Sequence, residues 1–141
     1  MGFLKALKRC FRLSDFPLEQ KTQMEREGLL FLAEGVRVTA VYQRFKAQGK
    51  RFRNKRETAW GSLAVSRKRI TGFCFRKRVI HLPLDSDEVK SVKFSLVDGK
   101  VLIIDVDPSL FDPRRSGRIQ VRYHTERAPE AYGIIRKLTG S

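Results

Sequence analysis

The chain has 141 residues, 41% of them apolar and ten of them Phe, so it reads as one domain with a real core and not as a disordered basic tail. Its net charge of +15 is lopsided: residues 1–84 carry 20 Lys/Arg against 6 Asp/Glu, and residues 85–141 carry 10 against 9. That asymmetry points to an anionic partner, while apolar runs no longer than "LLFLA" and "VLII" exclude a membrane-spanning helix.

The chain opens on "GFLKALKRCFRL" (2–13). On a helix, Lys5, Lys8, Arg9 and Arg12 fall on one face, and Phe3, Leu4, Leu7, Cys10 and Phe11 on the other. So short a helix needs a surface, either the domain itself or an anionic bilayer. The segment lacks the continuous apolar stretch of a secretory signal. Ala6 stands where a myristoylation signal after Gly2 has Ser or Thr. "PLEQKTQMERE" (17–27) has helical propensity but little apolar periodicity, and is read as a short exposed helix or linker ended at Gly28. Residues 1–28 thus form an N-terminal segment, and residues 29–141 the domain.

Strand patterns follow from Val36. They cover 36–45, 57–66, 69–75, 79–83, 89–97, 100–106 and 117–125, and Asp98-Gly99 predicts a hairpin with a type I′ turn between the fifth and sixth. Ala128, Ala131, Tyr132, Ile135 and Leu138 then recur at helical spacing, with Thr125 as cap and Pro129 in the first turn. The fold class is mainly β: a seven-stranded barrel or sandwich capped by a C-terminal helix. Cys10 and Cys74 make no disulfide framework or zinc pattern, and His81 and His124 lack metal-ligand spacing. No metal or cofactor is expected, and the cysteine usage suits a reducing, cytoplasmic compartment.

Three stretches resemble the pleckstrin-homology (PH) superfamily, in particular bacterial PH-like and GRAM-type domains. "GSLAVSRKRI" (61–70) is similar to the family's Gly-x-Leu-x-Val/Leu-Thr-x-x-Arg-Leu segment, with Ser66 in place of Thr. "VIHLPLDSDEVKSV" (79–92) resembles Ile-Pro-Leu-x-x-Ile-x-x-Val, and "VRYHTERAPEAY" (121–132) resembles the last strand entering the capping helix. The terminal helix has no Trp, which eukaryotic members usually carry; Trp60 is the only one in the chain. The resemblance implies a non-enzymatic scaffold, many of whose relatives bind membrane lipids.

In that topology the connections after strands one, three and six open at one rim. They carry Lys50, Arg51, Arg53, Lys55 and Arg56, then Arg76, Lys77 and Arg78, then Arg114 and Arg115 beside Leu110 and Phe111. Lys50-Arg51-Phe52-Arg53 is similar to the headgroup-binding pattern of lipid-binding PH domains. The expected partner is therefore an anionic membrane at its cytoplasmic face. Phe3, Leu4, Leu7, Phe11, Leu110 and Phe111 would supply apolar contact. Two simpler readings stand beside this one: Arg51, Arg53 and Lys55 as the wet face of a strand, and Leu110-Phe111 as a satellite core. Arg67, Lys68 and Arg69 fall at the opposite rim, with Asp85, Asp87 and Glu88 there to offset them. Single-stranded nucleic acid, stacked on Phe45, Phe52 or Phe73, and an acidic protein are the alternative partners. Catalytic motifs are lacking, and Asp105 and Asp107 are read as answering nearby cations.

Overall fold

Along "VRVTAVYQ", β-branched residues alternate with polar ones, and this period of two draws the chain into β1 (Leu29–Ala47). The structure is a computed structural model that describes residues 17–140 except 48, 75–76, 108 and 110–113; the side chains at 45, 47, 50, 52, 53 and 77 also fall outside it. After β1 come β2 (Lys50–Ser66), β3 (Arg69–Cys74), β4 (Lys77–Pro83) and a 3-10 turn (Asp87–Ser91). Then follow β5 (Lys93–Val97), β6 (Val101–Val106) and β7 (Ser116–His124). Helix α1 (Leu18–Arg26) precedes the sheet and helix α2 (Ala128–Thr139) closes the chain.

All seven strands pair antiparallel in the order β4-β3-β2-β1-β7-β6-β5. Among the described residues β4 and β5 do not pair with each other, so the sheet is a half-barrel and not the closed barrel expected. Its inner face holds Val38, Leu63, Ile70, Leu82, Leu102, Ile104, Val121 and Tyr123, all essentially inaccessible to solvent. The stripe Ala128, Ala131 and Ile135 of α2 joins that core, as its helical spacing predicts, with the helix against β1, β5 and β6. Arg127 secures the start of α2: its Nη1 donates to the Leu32 carbonyl at 2.7 Å, and its guanidinium lies 4.6 Å from the Phe31 ring centre.

β1 starts at Leu29, well before Val36. "LLFLA" does not alternate because α1 covers part of its second face: Phe31 and Ala33 point into the core, Leu29 and Leu32 pack near Met24 of α1, and Leu30 is exposed. Gly35 (φ 66) absorbs the bulge where the β1–β2 register shifts between Ala33 and Val36. β5 is shorter than expected, because Val89–Ser91 wind into the 3-10 turn. Asp98 (φ 54) and Gly99 (φ 65) are both left-handed, as a type I′ turn requires. The strands resume at Val97–Val101, which makes the loop one residue longer than the two expected.

Segment 17–27 forms the short, mostly exposed helix that was one of the two expectations for it, anchored at one point. Met24 is 1% exposed and packs on Ala64 and Phe73. Just beyond α1, Glu27 accepts bonds from Arg69 Nε (3.0 Å), Arg69 Nη2 (2.6 Å) and Ser66 Oγ (3.1 Å). That charge-assisted fork ties the helix end to the β2–β3 turn.

Tyr123 lies wholly inside the core, and its hydroxyl has no hydrogen-bond partner among the described residues. It rests directly on Gly72, where any Cβ would collide with it. Gly72→Ala should therefore cost about 1–3 kcal/mol by overpacking. Tyr123→Phe should be neutral or stabilising by about 1 kcal/mol, since it removes an unpaired buried hydroxyl. In the Tyr123→Phe background the cost of Gly72→Ala should fall by at least half, as read from urea midpoints of the four proteins; strictly additive midpoints would refute the contact.

Candidate functional site: a basic mouth over an apolar cavity

The richest cationic stretch, 44–56, is a hairpin stem and not a loop. Gly49 lies in the turn, and Lys50, Arg51, Arg53, Lys55 and Arg56 all lie in β2. Strong charge hides strand propensity from a reading by apolar alternation. β3 ends at Cys74 opposite Gly61, so among the described residues β2 from Lys50 to Trp60 is paired on one side only, by β1. An edge of that length invites pairing with another chain, and a row of cations deters it. The wet-strand reading of Arg51 and Lys55 thus fits the backbone. These residues also divide between two faces. Lys55 sits opposite Tyr42 and pairs with Glu57 at 3.0 Å, whereas Arg56 shares the other face with Thr58 and Trp60.

Two distortions set where this hairpin meets its neighbours. Arg44 has a positive φ (48), and β1 carries one extra residue relative to β7 between Gln43 and Lys46. Gly117 (φ 99) brings the β7 backbone against the Gln43 and Arg44 carbonyls, a space that admits no side chain. Lys46 then stands between Arg51 of β2 and Ser116 of β7, next in sequence to Arg114 and Arg115.

On the far side of the curl, β4 bulges: Gly72 faces Ile80, but Phe73 faces Arg78, leaving Val79 as the extra residue. The curvature carries Arg78 round to Arg115, and both line the opening of a cavity of about 370 Å³. Its walls include Ile80, Leu82, Val92, Ile104, Val106 and Ile119. Arg115 also bears on Tyr42. Burial, Glu57 and Cys74 push that phenol's pKa up, and Arg115 opposes them.

Of the expected cations, then, Arg78 and Arg115 line one cavity, Arg51 is in register with Lys46 of β1, and Arg114 is exposed in the turn before β7. Lys55 is held by Glu57, and Arg56 belongs to the outer face. The backbones of Lys50 and Arg53 lie in β2, and that of Lys77 lies opposite Cys74. Phe3, Leu4, Leu7, Phe11, Arg76, Leu110 and Phe111 lie outside the described residues. At the opposite rim, Arg69 is taken by Glu27 and not by Asp85, Asp87 or Glu88. Asp105 accepts from Arg118, at 2.9 Å to Nη2 and 3.1 Å to Nε, as its expected role as a counter-charge requires.

A second basic surface escaped the sequence reading. On the outer face Arg37 pairs with Trp60 on one side and His124 on the other, and Thr39 pairs with Thr58 and Arg122. Trp60 is 57% exposed. The alternation of 56, 58 and 60 was the available signal, but the side to which it faced depended on the sheet. Thr39 Oγ1 and His124 Nε2 are 3.1 Å apart. Burial first, then Arg37 and Arg122, lower the His124 pKa; burial, Arg78 and Arg69 do the same for His81. Among the described residues no group of three His, Cys, Asp or Glu is placed to hold a metal. No protein-family model matches the chain, and no curated protein matches it.

Both histidines therefore protonate less readily in the fold than in the unfolded chain, where the ordinary value is 6.5. As pH falls through that value the unfolded state takes up protons first, so stability is full above about pH 6.5 and declines below it. Urea midpoints measured across this range should drop on acidification. A His81→Asn/His124→Asn protein should have a shallower slope, and an identical slope would count against this origin.

Proposed function

We propose that this chain is a non-enzymatic, PH/GRAM-like module that attaches peripherally to an anionic membrane surface. The basic mouth and the amphipathic N-terminal segment would act together, and the role is recruitment without chemistry. The strand order and the closing helix are compatible with such a module. The observation that carries the reading is that Arg78 of β4 and Arg115, just before β7, line one cavity though remote in sequence, while Lys46 stands in register between Arg51 and Ser116.

Magnitudes explain why two anchors are needed. Four cations at ~1 kcal/mol each give about 4 kcal/mol before entropic losses. That corresponds to a dissociation constant of only about 1 mM. Burial of Phe3, Leu4, Leu7 and Phe11 in the interfacial zone would supply the remainder.

One observation favours a second reading. Trp60, exposed beside Arg37 and Arg56, has the makings of a stacking platform for single-stranded nucleic acid.

Co-sedimentation with phosphatidylcholine vesicles of rising phosphatidylglycerol content separates the two. Binding should grow with the anionic fraction. It should fall at least about 100-fold in Arg51→Glu/Arg78→Glu/Arg115→Glu, and weaken again on deletion of 2–13. Equal binding by all the proteins would sink the membrane reading. Quenching of Trp60 by oligothymidylate, without vesicle binding, would establish the second.

A further inference from the structure

The cavity beneath Arg78 and Arg115 is more than a patch of charge. We propose that it binds one acyl chain ending in an oxyanion, a single-chain anionic amphiphile taken up as a monomer. This is separate from adhesion to a bilayer surface and does not depend on it.

Four features lead there. The volume of about 370 Å³ falls within the ~300–1,000 Å³ common to small-molecule sites. Apart from His81, the walls below the arginines are branched aliphatic side chains, with Leu82 and Ile104 belonging to the core itself, so the cavity runs from the surface into the hydrophobic interior. Apolar cavities of this sort take apolar guests. Its polar lining residues are Arg78, Arg115 and His81, and the two exposed guanidinium groups suit the planar or tetrahedral oxygens of a carboxylate or phosphate monoester. The carboxylates of Asp105 and Asp107 have partners of their own. They alternate with the cavity-lining Ile104 and Val106, and are engaged by Arg118 and by Ser109.

The open seam between β4 and β5 gives such a guest a way in, which a closed barrel would deny it. Charge selects among occupants. The chain's own amphipathic stretch 2–13 brings four cations and no acid, and so is ill matched to a mouth of arginines.

Calorimetric titration of the full chain with octanoate, decanoate, dodecanoate and dodecyl phosphate, all kept below micelle formation, tests the assignment. Dodecanol and dodecyltrimethylammonium serve as neutral and cationic probes. One equivalent of either anion should bind, with affinity rising about fourfold per methylene until the cavity is full. The alcohol should bind at least tenfold more weakly and the cation not at all, and dodecanoate should raise the melting temperature. Arg78→Gln/Arg115→Gln, two changes at exposed positions, should lose anion affinity at least tenfold yet keep its melting temperature. Val106→Phe should shorten the longest chain accepted.

Failure of both anions to bind overturns the proposal. So does equal affinity for anion and alcohol, or binding of many equivalents unaffected by the arginine changes. Monomer binding without vesicle binding would leave this site standing and remove the membrane reading; the reverse result would do the opposite.

Discussion

The structure depends on β1 being hydrogen-bonded along both edges. It pairs with β2 from Leu29 to Ala47 and with β7 from Arg37 to Lys46, so it joins the two wings of the sheet. A strand so long, with an apolar inner face, cannot stay flat over a small core. The Gly35 bulge, and the irregularity at Arg44 with Gly117 against it, give the backbone room to bend. The curl that results brings β4 towards β6 and β7, with which, among the described residues, it forms no strand pairing.

Helices complete the fold unevenly. α2 fills the space beside β1, β5 and β6, and α1 covers part of the outer face through Met24. Neither reaches the opening lined by Arg78 and Arg115. The half-barrel therefore has a packed interior that grades into a cavity, and the basic residues sit where packing gives out. Burying guanidinium groups in the packed part would carry a desolvation penalty. At the mouth they keep their hydration and lend the opening its charge.

The acids are placed differently. Glu27 serves Arg69, Asp105 serves Arg118, and Glu130 serves Arg127, each pair fixing an element end or a strand register. Of these, the Glu27–Arg69 pair has the most to contribute, since the Glu27 side chain is only 9% exposed. The Arg127–Glu130 pair is open to water and adds little by itself.

Local chemistry sufficed for much of this architecture. Short runs rich in β-branched and aromatic residues marked all seven strands, Asp98-Gly99 marked its turn, and the stripe Ala128, Ala131 and Ile135 marked the closing helix, because each feature is set by neighbours in sequence. The early starts of β1 and β2 were hidden. "LLFLA" is apolar on both faces because α1 covers one of them, and the cations of "KRFRNKR" obscure an extended backbone. The sequence likewise showed a surplus of Arg and Lys but could not say which of them are neighbours. Arg78 and Arg115 meet only because single-residue bulges shift the register of β4 and β1, and the accumulated twist then turns one edge of the sheet towards the other. Those offsets are settled by packing across the whole core, and no short window of residues contains them.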